Sequence, residues 1–199
     1  EDTYVANELE DLYLPYKPKR KTKATVAREN GLEPLAMKII NQSNFDVETE
    51  AEKCLNENVK TVEEALKGAR DIIAEIMSEE ATVRNKLRNL FNREAVVVSK
   101  VYSDKKEEGI KYKDYFEWSE ALSRIPSHRL LAIRRGENEG FLRMSIEVDV
   151  EKALDIIERH FIKSKNETSE QLKLAAKDCW KRLLHPSLEI EARLESKEK

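Results

Sequence analysis

The chain has 199 residues, 40% of them hydrophobic and 38% charged, enough to bury the core of one or two domains beneath a charge-dense surface. Its net charge of −3, from 36 basic and 39 acidic side chains, gives no global attraction for polyanions, so any nucleic-acid site must be a local basic patch. No apolar run approaches the roughly 18 residues of a membrane span and no signal-peptide pattern opens the chain. Five glycines and five prolines are too few for a sandwich or barrel, which turns about every 8–12 residues.

In chain order, Tyr4, Val5, Leu9, Leu12 and Tyr13 share one helical face that ends before Pro15. The stretch 16–28 is strongly basic, with Lys17, Lys19, Arg20, Lys21, Lys23 and Arg28 and no acid. A short helix is predicted from Thr22 to Glu29, stopped by a left-handed cap at Gly31, and a second from Glu33-Pro34 to Ile40. Val47 to Leu55 reads as a modest helix. Thr61 to Met77 is a clear one: Val62, Ala65, Leu66, Ala69, Ile72, Ile73 and Ile76 recur at i+3 and i+4, and Thr61 with Glu64 fits a capping box. Glu79 to Asn92 continues the pattern through Val83, Leu87, Leu90 and Phe91.

At Ala95 the pattern changes. Ala95 to Tyr102 is β-branched, and Phe141 to Val148 alternates, with Leu142, Met144, Ile146 and Val148 on one face. These are predicted to pair as two strands with one face on helices, since two strands alone are marginal in water. Between them Ser127 is expected to cap a helix, His128 to Arg135, ended by Gly136. Helices then follow over Val150 to Phe161, Thr168 to Leu184 and from Ser187 onward, the last two separated by a turn at His185-Pro186. The organisation expected is a helical region 1–94 with its basic segment 16–28, a β element with a short basic helix over 95–149, and C-terminal helices over 150–199. The opening Glu1 and the stop inside a charged, helix-like stretch, Leu188 to Lys199, read as the cut ends of an excised region.

Little in the sequence points to chemistry of its own. Phosphate cradles need clustered glycines, and the nearest pair, Gly136 and Gly140, follows no strand that would aim a helix at a phosphate. Five Cys and His residues scattered from 54 to 185 lack the local pairs of a zinc site, so no metal and no cofactor is expected. Ser127 and His128 are adjacent, but neighbours on a helix point about 100° apart, so they read as a cap and a surface histidine rather than a catalytic dyad. Cys179 beside Trp180 reads as a packed thiol, and the separation of Cys54 from Cys179 fits a reducing, cytoplasmic setting. One feature has a functional flavour. Lys17, Lys19, Arg20, Lys21 and Lys23 lie beside Tyr13 and Tyr16, a combination that can contact phosphates and stack on bases, or pair with acidic helices of the same molecule. Arg129, Arg134 and Arg135 form a smaller cluster that fits either a recognition helix or a solvated one.

Four stretches carry a family resemblance. LEDLYLPYKPKRKTKATVARENGLEPLA, Leu9 to Ala36, resembles the signature near the N-terminus of the Tex family of bacterial transcription accessory proteins. EEGIKYKDYFEWSE (Glu107 to Glu120), RIPSHRLLAIRRGENEG (Arg124 to Gly140) and DCWKRLLHPSLEIEAR (Asp178 to Arg193) are similar to further segments of that family. Ala121 stands where the family pattern has a proline, and His185 where it has an aliphatic residue. The resemblance implies an N-terminal helical region with a helix-turn-helix-like unit, followed in the family by a resolvase-like domain, helix-hairpin-helix elements and an RNA-binding OB-fold. The expected fold is therefore mainly α, a multi-helical array with one small two-stranded antiparallel β element. The expected function is a non-catalytic helical scaffold for nucleic-acid-binding and transcription-machinery contacts. RNA or DNA would be bound through the full-length protein, RNA polymerase is a possible contact, and neither a membrane nor a small-molecule substrate is implied. The alternative is a direct DNA- or RNA-binding module that uses residues 17–23.

Overall fold

The computed structural model describes residues 21–197, which are mainly helical. Helix α1 (Lys23–Glu29) starts at Thr22, whose Oγ1 accepts the N–H of Thr25 at 3.2 Å. It ends as the sequence predicts. Gly31 adopts φ +82°, its N–H donates to Arg28 O, and the N–H of the buried Leu32 donates to Ala27 O, completing a Schellman closure. Helix α2 (Glu33–Asn41) carries Pro34 in its first turn, and α3 (Val47–Glu52) is capped by Asp46. Helix α3 stops before the predicted Leu55, because Cys54 and Leu55 turn back onto Ala51 O and Glu52 O. Helix α4 (Val62–Ser78) has the expected Thr61 cap, while the Glu64 carboxylate accepts from Lys60 N–H, one residue earlier than in a standard capping box. Helix α5 is Ala81–Glu94.

Chain packing divides the protein into two compact units, Glu1–Lys86 with Glu151–Pro186, and Leu87–Val150 with Ser187–Lys199. In the first, α4 is the central helix. Its buried face of Ala65, Leu66, Ala69, Ile72, Ile73 and Met77 packs against α1, α2, α3 and the later helix α8 (Glu167–Asp178). Gly68 allows the closest approach, since a Cβ there would lie 2.2 Å from Leu32 Cδ1. Glu75 of α4, almost fully buried, accepts from the Thr22 hydroxyl and the Arg28 guanidinium, both at 3.0 Å, and so pins both ends of α1. Helix α7 (Val150–Phe161) buries Ala153 and Ile157.

The second unit holds an antiparallel sheet of three strands in the order β2-β1-β3: β1 Val96–Val101, β2 Glu117–Ala121 and β3 Leu142–Glu147. Strands β1 and β3 pair as the sequence predicts, with Val97 opposite Ile146 and Ser99 opposite Met144. The expectation of two strands is corrected to three. The Glu-Trp-Ser-Glu-Ala segment adds to the free edge of β1 with Trp118 opposite Ser99. Its two glutamates hide it from an apolar pattern and suit a solvent-facing edge. A 3₁₀ turn at Ile110–Tyr115 leads into it, and Tyr115 O accepts from the buried Ser99 hydroxyl at 2.8 Å. Val97, Leu130, Ile133 and Met144 form a core between the sheet and helix α6 (Ser127–Asn138).

Further helix boundaries differ from expectation. Ser127 is the first residue of α6, and Pro126 in extended conformation is its cap. Gly136 does not end α6 but lies buried within it, where a Cβ would come 2.4 Å from Leu142 Cδ1; the chain reverses instead at Gly140, φ +84°. No turn separates the last helices either. Cys179–Leu184 continues α8 as a π segment, and the His185 N–H reaches back to Trp180 O before α9 (His185–Lys197) begins. Widening the turn absorbs the N–H that Pro186 lacks and the ring clash it would cause.

The two glycines respond differently to the same substitution. Gly136→Asn, which forces a polar side chain onto Leu142, is expected to lower stability by about 2 kcal/mol or more, and Gly140→Asn by less than about 1 kcal/mol, in urea unfolding. The reverse order would restore Gly136 as the helix stop.

Candidate functional site

Lys17, Lys19 and Arg20 lie outside the described residues. Of the remaining members of the basic segment, Lys21 is exposed and 3.4 Å from Glu29, a surface pair of little strength. Lys23, also exposed, opens α1 close enough to Asp178 for its charge to help lower that carboxyl's pKa.

The α6 arginines have separate fates. Arg129 Nη1 donates to Glu120 Oε1 at 2.6 Å, and its guanidinium lies 5.0 Å from the centre of the Trp118 ring, so it ties the helix to the edge strand. Arg134 turns inward and donates Nη2 to Arg193 O at 2.6 Å and to Ser196 Oγ; its Nε is buried without a partner among the described residues. Burial, and then the neighbouring Arg193 charge, push its pKa down. Arg135 is exposed. At about 100° per residue, Arg129 and Arg135 diverge by about 120°, so the helix does not gather the three into one cationic face.

Between Arg134 and Arg193 stands Glu137, which sequence spacing does not single out because its partner is 56 residues away. Arg193 Nη1 and Nη2 each donate to one Glu137 oxygen at 2.8 Å, the Met144 N–H donates to the same carboxylate at 3.3 Å, and Arg193 Nη2 also donates to Met144 O. The Arg193 fork holds the Glu137 carboxyl below the usual range against the opposing effect of burial. These side chains, with Asn138, Ile190 and Leu194, line a cavity of about 320 Å³. The arginines on its wall are held by Glu137, Glu189, Ser196 and main-chain carbonyls, which makes it a structural clamp.

The two thiols are poor nucleophiles. Cys179 is fully buried, and burial followed by the Asp178 charge pushes its pKa up to about 12. Cys54 is also raised, by burial and by Glu50. Ser127 and His128 are both exposed in the first turn of α6.

A basic region unmarked by the motifs surrounds α8. From Arg159 to Arg182 there are seven lysines and arginines against three acids, in a chain whose net charge is −3. The connection between α7 and α8 is held firmly: Lys163 and Ser164 N–H donate to Gln42 Oε1 at 2.7 and 3.0 Å, and Asn166, the α8 cap, donates to Gln42 O. Lys163, Lys165 and Lys173 border a groove of about 410 Å³ there. A charge tally along the sequence would have found this region.

Glu137→Gln leaves the Arg193 fork without its anion and is expected to cost about 1–3 kcal/mol at neutral pH, less than for a fully buried pair because both side chains are about one-quarter exposed. The folded-state carboxyl titrates below its ordinary 4.5, so its contribution is complete above that pH and lost as pH falls through the folded-state value. The gap between wild type and variant in urea unfolding should therefore shrink as pH falls below 4.5. A gap that is unchanged on acidification would refute the assignment.

Among the described residues no helix is long and apolar enough to cross a membrane. The family model described as Tex central region-like matches residues 42–199. The chain is 40% identical over 192 residues to the transcriptional accessory protein Tex of Neisseria gonorrhoeae, covering 92% of this chain and 25% of that protein. It is 42% identical over 147 residues to the protein tex of Bordetella pertussis, covering 72% of this chain and 19% of the relative. A more distant relative is the S1 RNA-binding domain-containing protein 1 of Pongo abelii, 27% identical over 95% of this chain and 21% of its own length. The chain thus spans a quarter or less of these relatives. With a family model matching residues 42–199, and with 40% identity to the Neisseria gonorrhoeae relative over 92% of this chain, the chain belongs to the Tex family.

Proposed function

We propose that this chain is the non-catalytic N-terminal portion of a transcription accessory protein, a helical scaffold that positions nucleic-acid-binding modules and contacts of the transcription machinery. The observation that carries this reading is the inward use of charge on α6. Arg129 and Arg134, which on a recognition helix would reach for bases, are held by Glu120, Arg193 O and Ser196. A helix engaged in this way braces its neighbours. Cys179, fully buried and with its pKa raised, is given no nucleophilic role in this reading, and no cofactor enters it. RNA polymerase and RNA or DNA are proposed as partners of the whole protein in the cytoplasm; the nucleic-acid part is supported by the likeness to a transcriptional accessory protein and to an S1 RNA-binding domain-containing protein.

On this reading the chain alone binds nucleic acid no more tightly than ordinary non-specific contacts, with Kd above about 1 μM at physiological salt. Fluorescence anisotropy with labelled RNA and duplex DNA measures it. Sub-micromolar binding at that salt, abolished by Lys19→Ala, Arg20→Ala and Lys21→Ala together, would replace the scaffold with the direct-binding alternative.

A further inference from the structure

Lys173, Lys177 and Lys181 are all exposed and stand four residues apart along α8 and its π continuation, so they share one side of the helix about 6 Å apart along its axis. At the amino end of this row, exposed Lys165 borders the groove next to Lys173. At the other end, Asp178 lies near Lys23 and Lys67. Lys23, the groove and the row, brought from two parts of the sequence, therefore meet along one helix of the first unit.

The acids nearby already have partners. Glu167 accepts the Val47 N–H at 3.0 Å, Asp178 is held by Arg182 at 2.7 Å, Asp71 lies between Lys67 at 3.6 Å and Arg182 at 3.9 Å, and Glu29 pairs with Lys21. Glu170 sits 3.8 Å from Lys173 and is the one carboxylate within the row. Lys165, Lys177 and Lys181 make no ion pair among the described residues, so the strip keeps a cationic excess over Glu167 and Glu170 on an acidic chain.

We propose that this strip, Lys165, Lys173, Lys177 and Lys181 with Lys23 at its end, is a contact surface for the sugar-phosphate backbone of a nucleic-acid duplex. A duplex offers one negative charge per about 1.7 Å of axis, so a straight row of lysines meets phosphates at any register. Lysine suits the task as a mobile point charge without the fork that reads base edges. The α8 sequence contains no aromatic residue and Trp180 is buried, so the stacking platforms that hold single strands are missing from this face. Leu174 is the only large apolar side chain exposed on α8, too little for an apolar protein interface. The surface positions nucleic acid without reading sequence, and it goes beyond the scaffold reading while leaving it intact, because such contacts are weak at physiological salt.

The test is anisotropy of a fluorescein-labelled DNA duplex, the matching RNA duplex, the single strand and labelled poly-L-glutamate, titrated with the 199-residue chain at about 25–200 mM salt. K173Q/K177Q/K181Q is compared with K53Q/K60Q/K106Q, which removes the same charge elsewhere, and circular dichroism verifies that both fold. Binding of the duplexes at low salt is expected, with a log–log salt slope reduced by about 2–3 and affinity by about tenfold or more in the α8 variant and unchanged in the control. Equal slopes for the wild type and the α8 variant, no duplex binding at the lowest salt, tighter binding of the single strand, or equal affinity for poly-L-glutamate would each overturn the proposal. Sub-micromolar binding at physiological salt through Lys19, Arg20 and Lys21 is a different result, and it bears on the scaffold alone.

Discussion

The second unit depends on one carboxylate. Glu137 receives both arms of Arg193 and the Met144 N–H, so α6, β3 and α9 converge on a single anion, with Arg134 close by. Without that charge, the guanidinium groups of Arg134 and Arg193 would repel one another with no carboxylate between them. Desolvating such a pair offsets most of its Coulombic gain, so its main effect is geometric. A planar fork fits two carboxylate oxygens in one way and thereby fixes the register of α6, β3 and α9. The same interaction decides how the family-like segment Arg124 to Gly140 should be understood. Two of its arginines, Arg129 and Arg134, resemble part of a binding motif in sequence and act as braces in space.

The first unit uses a related device. Glu75, on the buried face of α4, accepts from Thr22 and Arg28 and so seats both ends of a seven-residue helix too short to be stable alone. Around it the fit is steric: Gly68 and the alanines Ala65 and Ala69 let α1 and the Leu32 turn approach α4 closely. In both units, then, an acid borne on a helix takes an arginine from another segment while small apolar residues bring the backbones together. Part of the high charge content is thus structural, which fits a scaffold.

What was legible in the sequence was local. The Thr61 cap, the i+3 and i+4 run through Ile73, the Gly31 closure and the alternation of Leu142, Met144 and Ile146 each depend on contacts within a few residues, and each reappears in the fold. The errors came where tertiary packing overrode local pattern. Gly136 is a glycine because Leu142 crowds the helix there, which a cap rule cannot distinguish from a helix stop. Pro186 breaks nothing because a π turn precedes it, and the third strand is carried by a segment too polar to look like one. For the candidate site, Lys21 and Lys23 were legible as bases, whereas the engagement of Arg129 and Arg134 was not, since their partners come from another strand and another helix.

Arginine and lysine divide the labour in a way that links the packed interior to the surface. Arg28, Arg70, Arg88, Arg129, Arg182 and Arg193 make ion pairs with side chains only 6–28% exposed, whereas ion-paired lysines are 38–67% exposed; Arg159, at 81%, is the exception. The guanidinium is weakly hydrated and its donors are fixed in a plane, so it loses less on burial and gains more from a fixed carboxylate. The ammonium is strongly hydrated and is best left in water, where it can exchange a counterion for a phosphate. Sorting the two cations by depth lets one chain hold its shape through arginine and present a diffuse positive strip through lysine, despite a net charge of −3. For such a protein net charge is a poor guide to polyanion contact, because a polyanion meets the local balance, and from Arg159 to Arg182 seven cations stand against three acids.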